Sequence, residues 1–414
     1  MIKEKYSIKL KTVTLSVTNT EVSAIQKSNT TKTGLRLYDN GCIGVAGAIG
    51  AYDEARLSGH AKQMLKFKVP YDCSPAKDIK RSLDLTDRFS LSDEDFVSKS
   101  EELLSMLAGK FPQFSFSHKI IYVESELALS NDCGADLVCR DKMVQAGLVI
   151  KHKKSKNLMD STGVELARGF DVDAAFKAIT ETCGCFEEKI ELPAEKMPVV
   201  MLHGPEILLV KFMTDLNGRA MGTGASMFNG KIGQKLFSDD FSLRVDRSTH
   251  ETYNSFFDAE GAVLENDAFT LIENGIIKSP FSSGKIAKEY GYAVTGSAAG
   301  EYDSVPDTSY EGIKVKTSGK TIKELLNGRK AIYVVIAGGG DFTAQGEYAS
   351  PVQAAFLFDG QNLLGRLPQL AIRSNIYDMF GKDFIGASSD GNSPGSPFKY
   401  LAIDMNVSKI GDWM

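Results

Sequence analysis

The run from Thr223 to Gly300 constrains the fold most, because it fixes the direction of the backbone at several points. It reads GTGASMFNGKIGQKLF, then FFDAEGAV, LIENGIIK and YAVTGSAAG. Asn274-Gly275 between Leu271-Ile272 and Ile276-Ile277 predicts a two-residue β-hairpin, since both central positions of such a turn need positive φ. Asp258-Ala259-Glu260-Gly261 sets two carboxylates and a glycine behind Phe256-Phe257, which suits either a capped turn or a functional loop.

The rest of the chain divides by period. Residues 6–17 alternate and are rich in Thr, Val and Ile, so the chain opens in a strand. Tyr38-Asp39-Asn40-Gly41, flanked by Leu35, Leu37 and by Ile43, Val45, predicts a second hairpin. Asp53 caps a predicted helix to about Phe67 whose stripe is Leu57, Ala61, Met64 and Leu65, with His60 placed on it as a packed residue. Ser92 and Asp95 begin another helix carrying Phe96, Leu103, Leu104 and Leu107. Phe114, Phe116, His118, Ile120 and Tyr122 then alternate on one face of a strand, which makes His118 structural. More strands are expected from about Leu127 to Ile150, and a helix from about Asp171 to Cys183. Composition shifts through ELPAEKMP at 191–198, and the main boundary is placed there. The expected class is α+β. Residues 1–192 form a mixed α/β domain, divisible near 85 and 86, and 193–414 form a large β-rich domain of antiparallel sheet or barrel type.

Net charge of -5 and a pI near 5.7 argue against direct nucleic-acid binding, which rests on a concentrated basic surface. The one basic run, Lys151 to Lys156, reads as a solvated strand end. No run approaches the length of a membrane span, and the opening residues lack a signal-peptide core, so no membrane association and a cytoplasmic location are expected. Six irregularly spaced cysteines fit a reducing compartment rather than a disulfide scaffold.

Motifs with catalytic potential are incomplete. Cys183-Gly184-Cys185 lacks a second pair at zinc-site spacing. His203-x-x-Glu206 has Ile207 where an inverted zinc motif needs histidine, and His250-Glu251 is followed by Asn254 where His-Glu-x-x-His needs its last ligand. Ser318-Gly319-Lys320-Thr321 lacks the first glycine of a phosphate loop, where Lys314 stands, and Gly338-Gly339-Gly340 lacks dinucleotide spacing. Asp258 and Glu260 could do acid/base work, or could bond backbone amides as a structural loop.

The ordered series FNGKIG, FDAEG, IENGIIK and TGSA resembles the PmbA/TldD family, within it the PmbA or TldE branch. NTEVSAIQKSNTTKTGLRLYDNGCIGVAG and TIKELLNGRKAIYVV extend the resemblance over most of the chain. The signature positions are Phe228, Asn229, Gly230, Gly233, Phe257, Asp258, Glu260, Gly261, Asn274, Gly275, Thr295 and Gly296, and the resemblance implies that they shape a peptide channel. The TldD branch is a zinc peptidase with a His-Glu-x-x-x-His helix and a cysteine ligand near its C-terminus. Here the helix positions are Leu209, Val210 and Thr214, and the last cysteine is Cys185. Pro205 suits a first helical turn, and Leu208, Leu209, Phe212, Met213 and Leu216 form an apolar stripe. The resemblance therefore implies no catalytic or metal-binding residue and no cofactor in this chain, with zinc in a TldD-like partner and unfolded peptide as substrate. A homodimeric peptide-binding protein without peptidase activity is the alternative.

Overall fold

Two tight turns stitch the opening strands together. Asn19-Thr20 and Asn40-Gly41 take positive φ at both positions, a geometry that matches the twist of the strands they join. They connect β1 (Ile2–Thr18), β2 (Glu21–Asp39) and β3 (Cys42–Ile49), which are followed by α1 (Glu54–Met64), β4 (Val69–Pro70), β5 (Lys80–Asp84), α2 (Asp93–Lys110), β6 (Phe114–Asn131), β7 (Asp136–His152), β8 (Ser161–Ala167) and α3 (Val172–Thr180). The computed structural model describes residues 1–202, 206–248, 253–393 and 396–413.

These eight strands form one sheet in the order β4-β3-β2-β1-β6-β7-β5, with β8 on β7. Strands from both sides of residue 85 share it, because β1 pairs with β6 along almost its whole length. Helices α2 and α3 cover one face, where Phe96, Leu103, Leu107, Ala175 and Ile179 meet Val13, Leu15, Phe116, Ile120, Tyr122, Leu148 and Ile150. Gly34 on the other face is required by close approach: a Cβ there would fall 1.6 Å from the Tyr302 carbonyl oxygen.

Two histidine expectations are corrected. Helix α1 buries only Leu57 and Ala61, so its stripe is narrower than its sequence suggests; Met64 and His60 face outward. His118 is exposed as well, at a φ of 127° within β6, although Phe116 and Ile120 on either side of it are buried.

The second half contains β9 (Lys196–Met201), α4 (Glu206–Asp215), α5 (Gly218–Gly222), β10 (Leu243–Asp246), β11 (Ala268–Glu273), β12 (Ile276–Ile277), α6 (Gly284–Tyr290), β13 (Ala298–Ala299), β14 (Asp307–Thr308), β15 (Ile313–Val315), α7 (Ile322–Leu326), β16 (Ala331–Ala337), β17 (Asp341–Phe342), β18 (Glu347–Phe358), β19 (Leu363–Arg366), β20 (Leu370–Asn375), α8 (Ile376–Met379), β21 (Phe384–Ala387) and β22 (Leu401–Lys409). Strands β9, β16, β18, β20 and β22 pair in a ring and close a five-stranded barrel. Closure leaves these strands no free edge within the ring.

The barrel strands read as near-continuous apolar runs because both faces are covered. Val199, Met201, Ile332 and Val334 point into the core shared with Leu208, Leu209, Phe212 and Leu216 of α4. Their alternates Val200, Tyr333 and Ala402 pack outward against Ile322 and Leu326 of α7. The fold is thus α+β, a mixed α/β half followed by a barrel-centred half. Among the described residues no helix is long and apolar enough to cross a membrane.

A smaller sheet, β12-β11-β10-β15, flanks the barrel. Its hairpin is the expected one: Asn274 and Gly275 have φ of 47° and 78°, with Glu273 opposite Ile276. Gly275 is also tightly approached, since a Cβ would meet the Phe237 carbonyl oxygen at 2.2 Å. Thr321, at the end of the incomplete phosphate-loop motif, is instead the N-cap of α7 in a capping box with Glu324.

Candidate functional site

The signature positions fall into two groups. Phe257, Asp258, Glu260, Gly261, Thr295 and Gly296 come together where the second half rests on the first. Phe228 lies in the barrel-side core, its ring 5.8 Å from that of Phe212. Asn229, Gly230 and Gly233 lie on the surface turn that follows, and this turn is tied to the Asn274-Gly275 hairpin by the Gly233 N–H on the Ile277 carbonyl (2.7 Å) and the Leu236 N–H on the Gly275 carbonyl (2.9 Å).

The first group is a buried polar joint. Asp258 is a hub: one carboxylate oxygen accepts from the backbone N–H groups of Glu260 and Ala262, both at 2.9 Å, and the other from that of Ala298 at 2.9 Å. Glu260 accepts from the Tyr71 hydroxyl and from the Gly284 N–H at the start of α6. Gly261 closes the turn by donating to the Asp258 carbonyl (2.9 Å). Arg247 donates to the carbonyls of Gly296 (2.5 Å) and Phe257 (3.2 Å), and Thr295 exchanges hydrogen bonds with the backbone of Ser282.

Facing this loop are Glu4 and Arg36, cross-strand partners on β1 and β2 and both fully buried. Arg36 donates to Glu4 (3.3 Å) and to the Ala259 carbonyl between the two signature carboxylates, and its guanidinium lies over the Tyr6 ring. Tyr38 and Asn131 complete the shell of Glu4, at 2.8 and 3.2 Å. Sequence reasoning missed Glu4, Arg36, Tyr38 and Tyr71. The available signal was Arg36 itself, a charge between Leu35 and Leu37 in a run that is otherwise buried.

Burial pushes the Asp258 and Glu4 carboxyls above their usual range despite the nearby guanidinium groups. Burial, with the Asp258 charge second, pushes Glu260 to about 7. A carboxyl raised on folding contributes stability that is full below its unfolded pKa and is lost as pH rises through the folded value. Glu260→Gln, which cannot ionise but can still accept from Gly284, is therefore expected to gain stability relative to the natural chain between about pH 4.5 and 7, by on the order of 3 kcal/mol. Urea unfolding of both proteins across that range checks the sign; a difference that stays constant with pH contradicts it.

The joint's carboxylate oxygens already serve its own backbone and Tyr71. Its chemistry is to hold the loop, and through Arg36 and Ala259 to fasten the barrel half to the sheet.

A second feature lies beside it, and Asn254 borders both. A cavity of about 380 Å³ is walled by Leu202, Leu209, Ile313, Val315 and Leu401, with Leu166 of β8 reaching in from the first half. Glu206, Lys314 and Lys399 stand among its lining residues. Leu209 is 3% exposed, whereas Val210 and Thr214 face solvent and the Thr214 hydroxyl bonds back to the Val210 carbonyl at 3.1 Å. A zinc ion does not fit these three side chains, because none offers the imidazole, thiolate or carboxylate that zinc takes. Among the described residues no group of three or more His, Cys, Asp or Glu is placed to hold a metal. His203, Pro205, His250 and Glu251 lie outside the described residues.

The closed barrel, the flanking small sheet and α4 lie in the stretch matched by a family model: the one described as the PmbA/TldA metallopeptidase C-terminal domain covers residues 194–401. The chain belongs to the PmbA/TldD family. It is 24% identical over 181 residues to an uncharacterized protein of Methanocaldococcus jannaschii, covering 42% of this chain and 41% of that one. It is 24% identical over 170 residues to a protein named Metalloprotease from Methanothermobacter thermautotrophicus, covering 40% and 37%. Each match thus spans about two fifths of the relative's length. The solved structure of TldE from Thermococcus kodakarensis superposes with a TM-score of 0.79 at 16% identity, over 98% of this chain and 96% of that one. At that identity the likeness speaks for the fold.

Proposed function

We propose that this chain is a TldE/PmbA-like subunit of a two-component metallopeptidase system, non-catalytic itself and acting in peptide proteolysis with a TldD-like partner. The partner supplies zinc and the water-activating glutamate, and this chain supplies part of the wall of a chamber that receives unfolded peptide. The observation that carries the reading is α4, where the helix positions of the family's zinc motif hold Leu209, Val210 and Thr214. Leu209 belongs to the apolar wall of a cavity, while Val210 and Thr214 turn to solvent. The buried joint at Asp258 and Glu260 supports it further, since both carboxylates are committed to backbone groups and Tyr71.

The test is zinc content of the purified chain beside peptide cleavage with and without an added TldD-like protein. Substoichiometric zinc, with chelator-sensitive cleavage in the mixture only, is the expected result. One zinc per chain with chelator-sensitive cleavage by this chain alone overturns the reading.

A further inference from the structure

We propose that the loop joining β7 to β8, residues 153–160, is a docking tip for an anionic lipid surface, with Lys151, Lys153, Lys154 and Lys156 meeting the headgroups and Leu158 entering the acyl boundary. The inference is independent of the subunit reading, which uses neither this loop nor these residues.

The loop is built around its own carboxylate. Asp160, 3% exposed, accepts from the His152 N–H (2.7 Å), the Ser155 hydroxyl (2.7 Å) and the Asn157 side-chain amide (2.9 Å). The Asp160 N–H returns to the Ile150 carbonyl and the Lys153 N–H reaches the Gln113 carbonyl, both at 2.9 Å. Polar groups thus fill the inside of the loop, and its long side chains are left to solvent. Leu158 is 92% exposed, the highest value among the large hydrophobic side chains of the described residues, and Met159 beside it is 37% exposed. Lys153, Lys154 and Lys156 are exposed as well, and Lys151 is half-buried at the end of β7. None of the four lysines forms an ion pair with a described residue; Lys153 donates to the Pro112 carbonyl at 2.6 Å. The acidic groups bonded to this stretch are the enclosed Asp160 and Glu187, which pairs with His152 at 3.0 Å.

Uncommitted lysines around an exposed aliphatic side chain suit a membrane surface. Near an anionic leaflet each ammonium gains from the negative surface potential, while its alkyl stem lies along the lipid. Leu158 gains by leaving water for the acyl boundary. A protein partner fits less well, because a stable interface takes about 800 Å² from each side, more than one short loop presents. A nucleic acid fits less well too: residues 151–159 offer no arginine for forked phosphate contacts and no exposed aromatic ring for base stacking. The chain's net charge of -5 does not oppose the contact. Exposed charges more than about 8 Å apart are largely screened at physiological salt, so the lipid meets the lysines of the tip rather than the sum over the chain. Docking from one side needs no spanning helix, so the expectation of no membrane association does not extend to this tip.

The experiment is co-sedimentation of the purified full chain with vesicles of phosphatidylcholine alone and of an equal mixture of phosphatidylcholine and phosphatidylglycerol. The mixed vesicles should bind about tenfold or more tighter, and raised salt should remove the difference. Lys154→Glu/Lys156→Glu should lower binding to the mixed vesicles by about tenfold or more, since each lysine near the surface is worth about fivefold. Leu158→Ser should weaken binding by about fivefold while the salt dependence stays as in the natural chain. These positions are exposed, so the variants are expected to melt with the natural chain; if one does not, the two vesicle types on the natural chain still decide. Equal binding to both vesicle types overturns the proposal, as does unchanged binding in folded Lys154→Glu/Lys156→Glu. Tighter binding to single-stranded RNA or to a poly-glutamate peptide, with no loss in Leu158→Ser, overturns it in favour of a soluble polyanion.

Discussion

Arg36→Met is expected to destabilise the protein by about 3–5 kcal/mol, the usual consequence of leaving a buried charge without its partner. Arg36 and Glu4 are both fully enclosed, so Glu4 in the variant must either remain ionised in a low-dielectric site or take up a proton. Tyr38 and Asn131 still donate to it, which limits the loss without offsetting it. The Ala259 carbonyl also loses its donor, and with it the loop loses one of its links to β2. Removing both charges in Glu4→Gln/Arg36→Met should recover half or more of the loss, because two neutral groups of similar shape demand less than one orphaned ion. Urea unfolding at constant pH measures both. A loss below about 1 kcal/mol in the single variant would mean that the pair is incidental to the joint.

Asp258→Asn is expected to cost about 3 kcal/mol or more, with a sign opposite to that of Glu260→Gln at neutral pH. Asp258 accepts from three backbone N–H groups, two on one oxygen and one on the other. An asparagine can satisfy one side only; its amide nitrogen would face another donor, and a buried unsatisfied donor costs about 1–3 kcal/mol beyond the charge-assisted bonds lost. Arg247 also loses the attraction of the Asp258 charge. Native-state hydrogen exchange should locate the damage at the amides of Glu260, Ala262 and Ala298, while barrel amides such as those of Val199 and Ile332 stay protected. Stabilisation by Asp258→Asn at pH 7 would show that repulsion with Glu260 outweighs the backbone bonds.

Local signals were read well where one turn or one period decides the structure. Asn274-Gly275 and Asn40-Gly41 declare their hairpins because few residue types tolerate positive φ at both positions. Asp53, Ser92 and Asp171 declare helix starts by accepting from the third residue onward. The stripe that makes Leu209 a core residue is equally local. His60 and His118 were misread because a stripe or an alternation fixes only the direction of a side chain, and burial depends on what else arrives there. His60 and His118 are both exposed, His118 at a φ of 127°.

The sequence by itself therefore determined the α+β class, the hairpins, the helix caps and the apolar stripe of α4, since each follows from residue identity over a few neighbouring positions. Only the tertiary structure decided that β9, β16, β18, β20 and β22 close into a barrel, because ring closure depends on pairings across more than 200 residues, such as β9 with β22. It also decided the role of the signature loop. Asp258 and Glu260 are two positions apart in the chain, but the groups that make them a joint are Tyr71, Gly284 and Ala298, with Arg36 holding the carbonyl between them. No local pattern encodes a contact between residues 36 and 259; it exists because the sheet and the barrel bury those polar groups against each other, and once buried they must be satisfied.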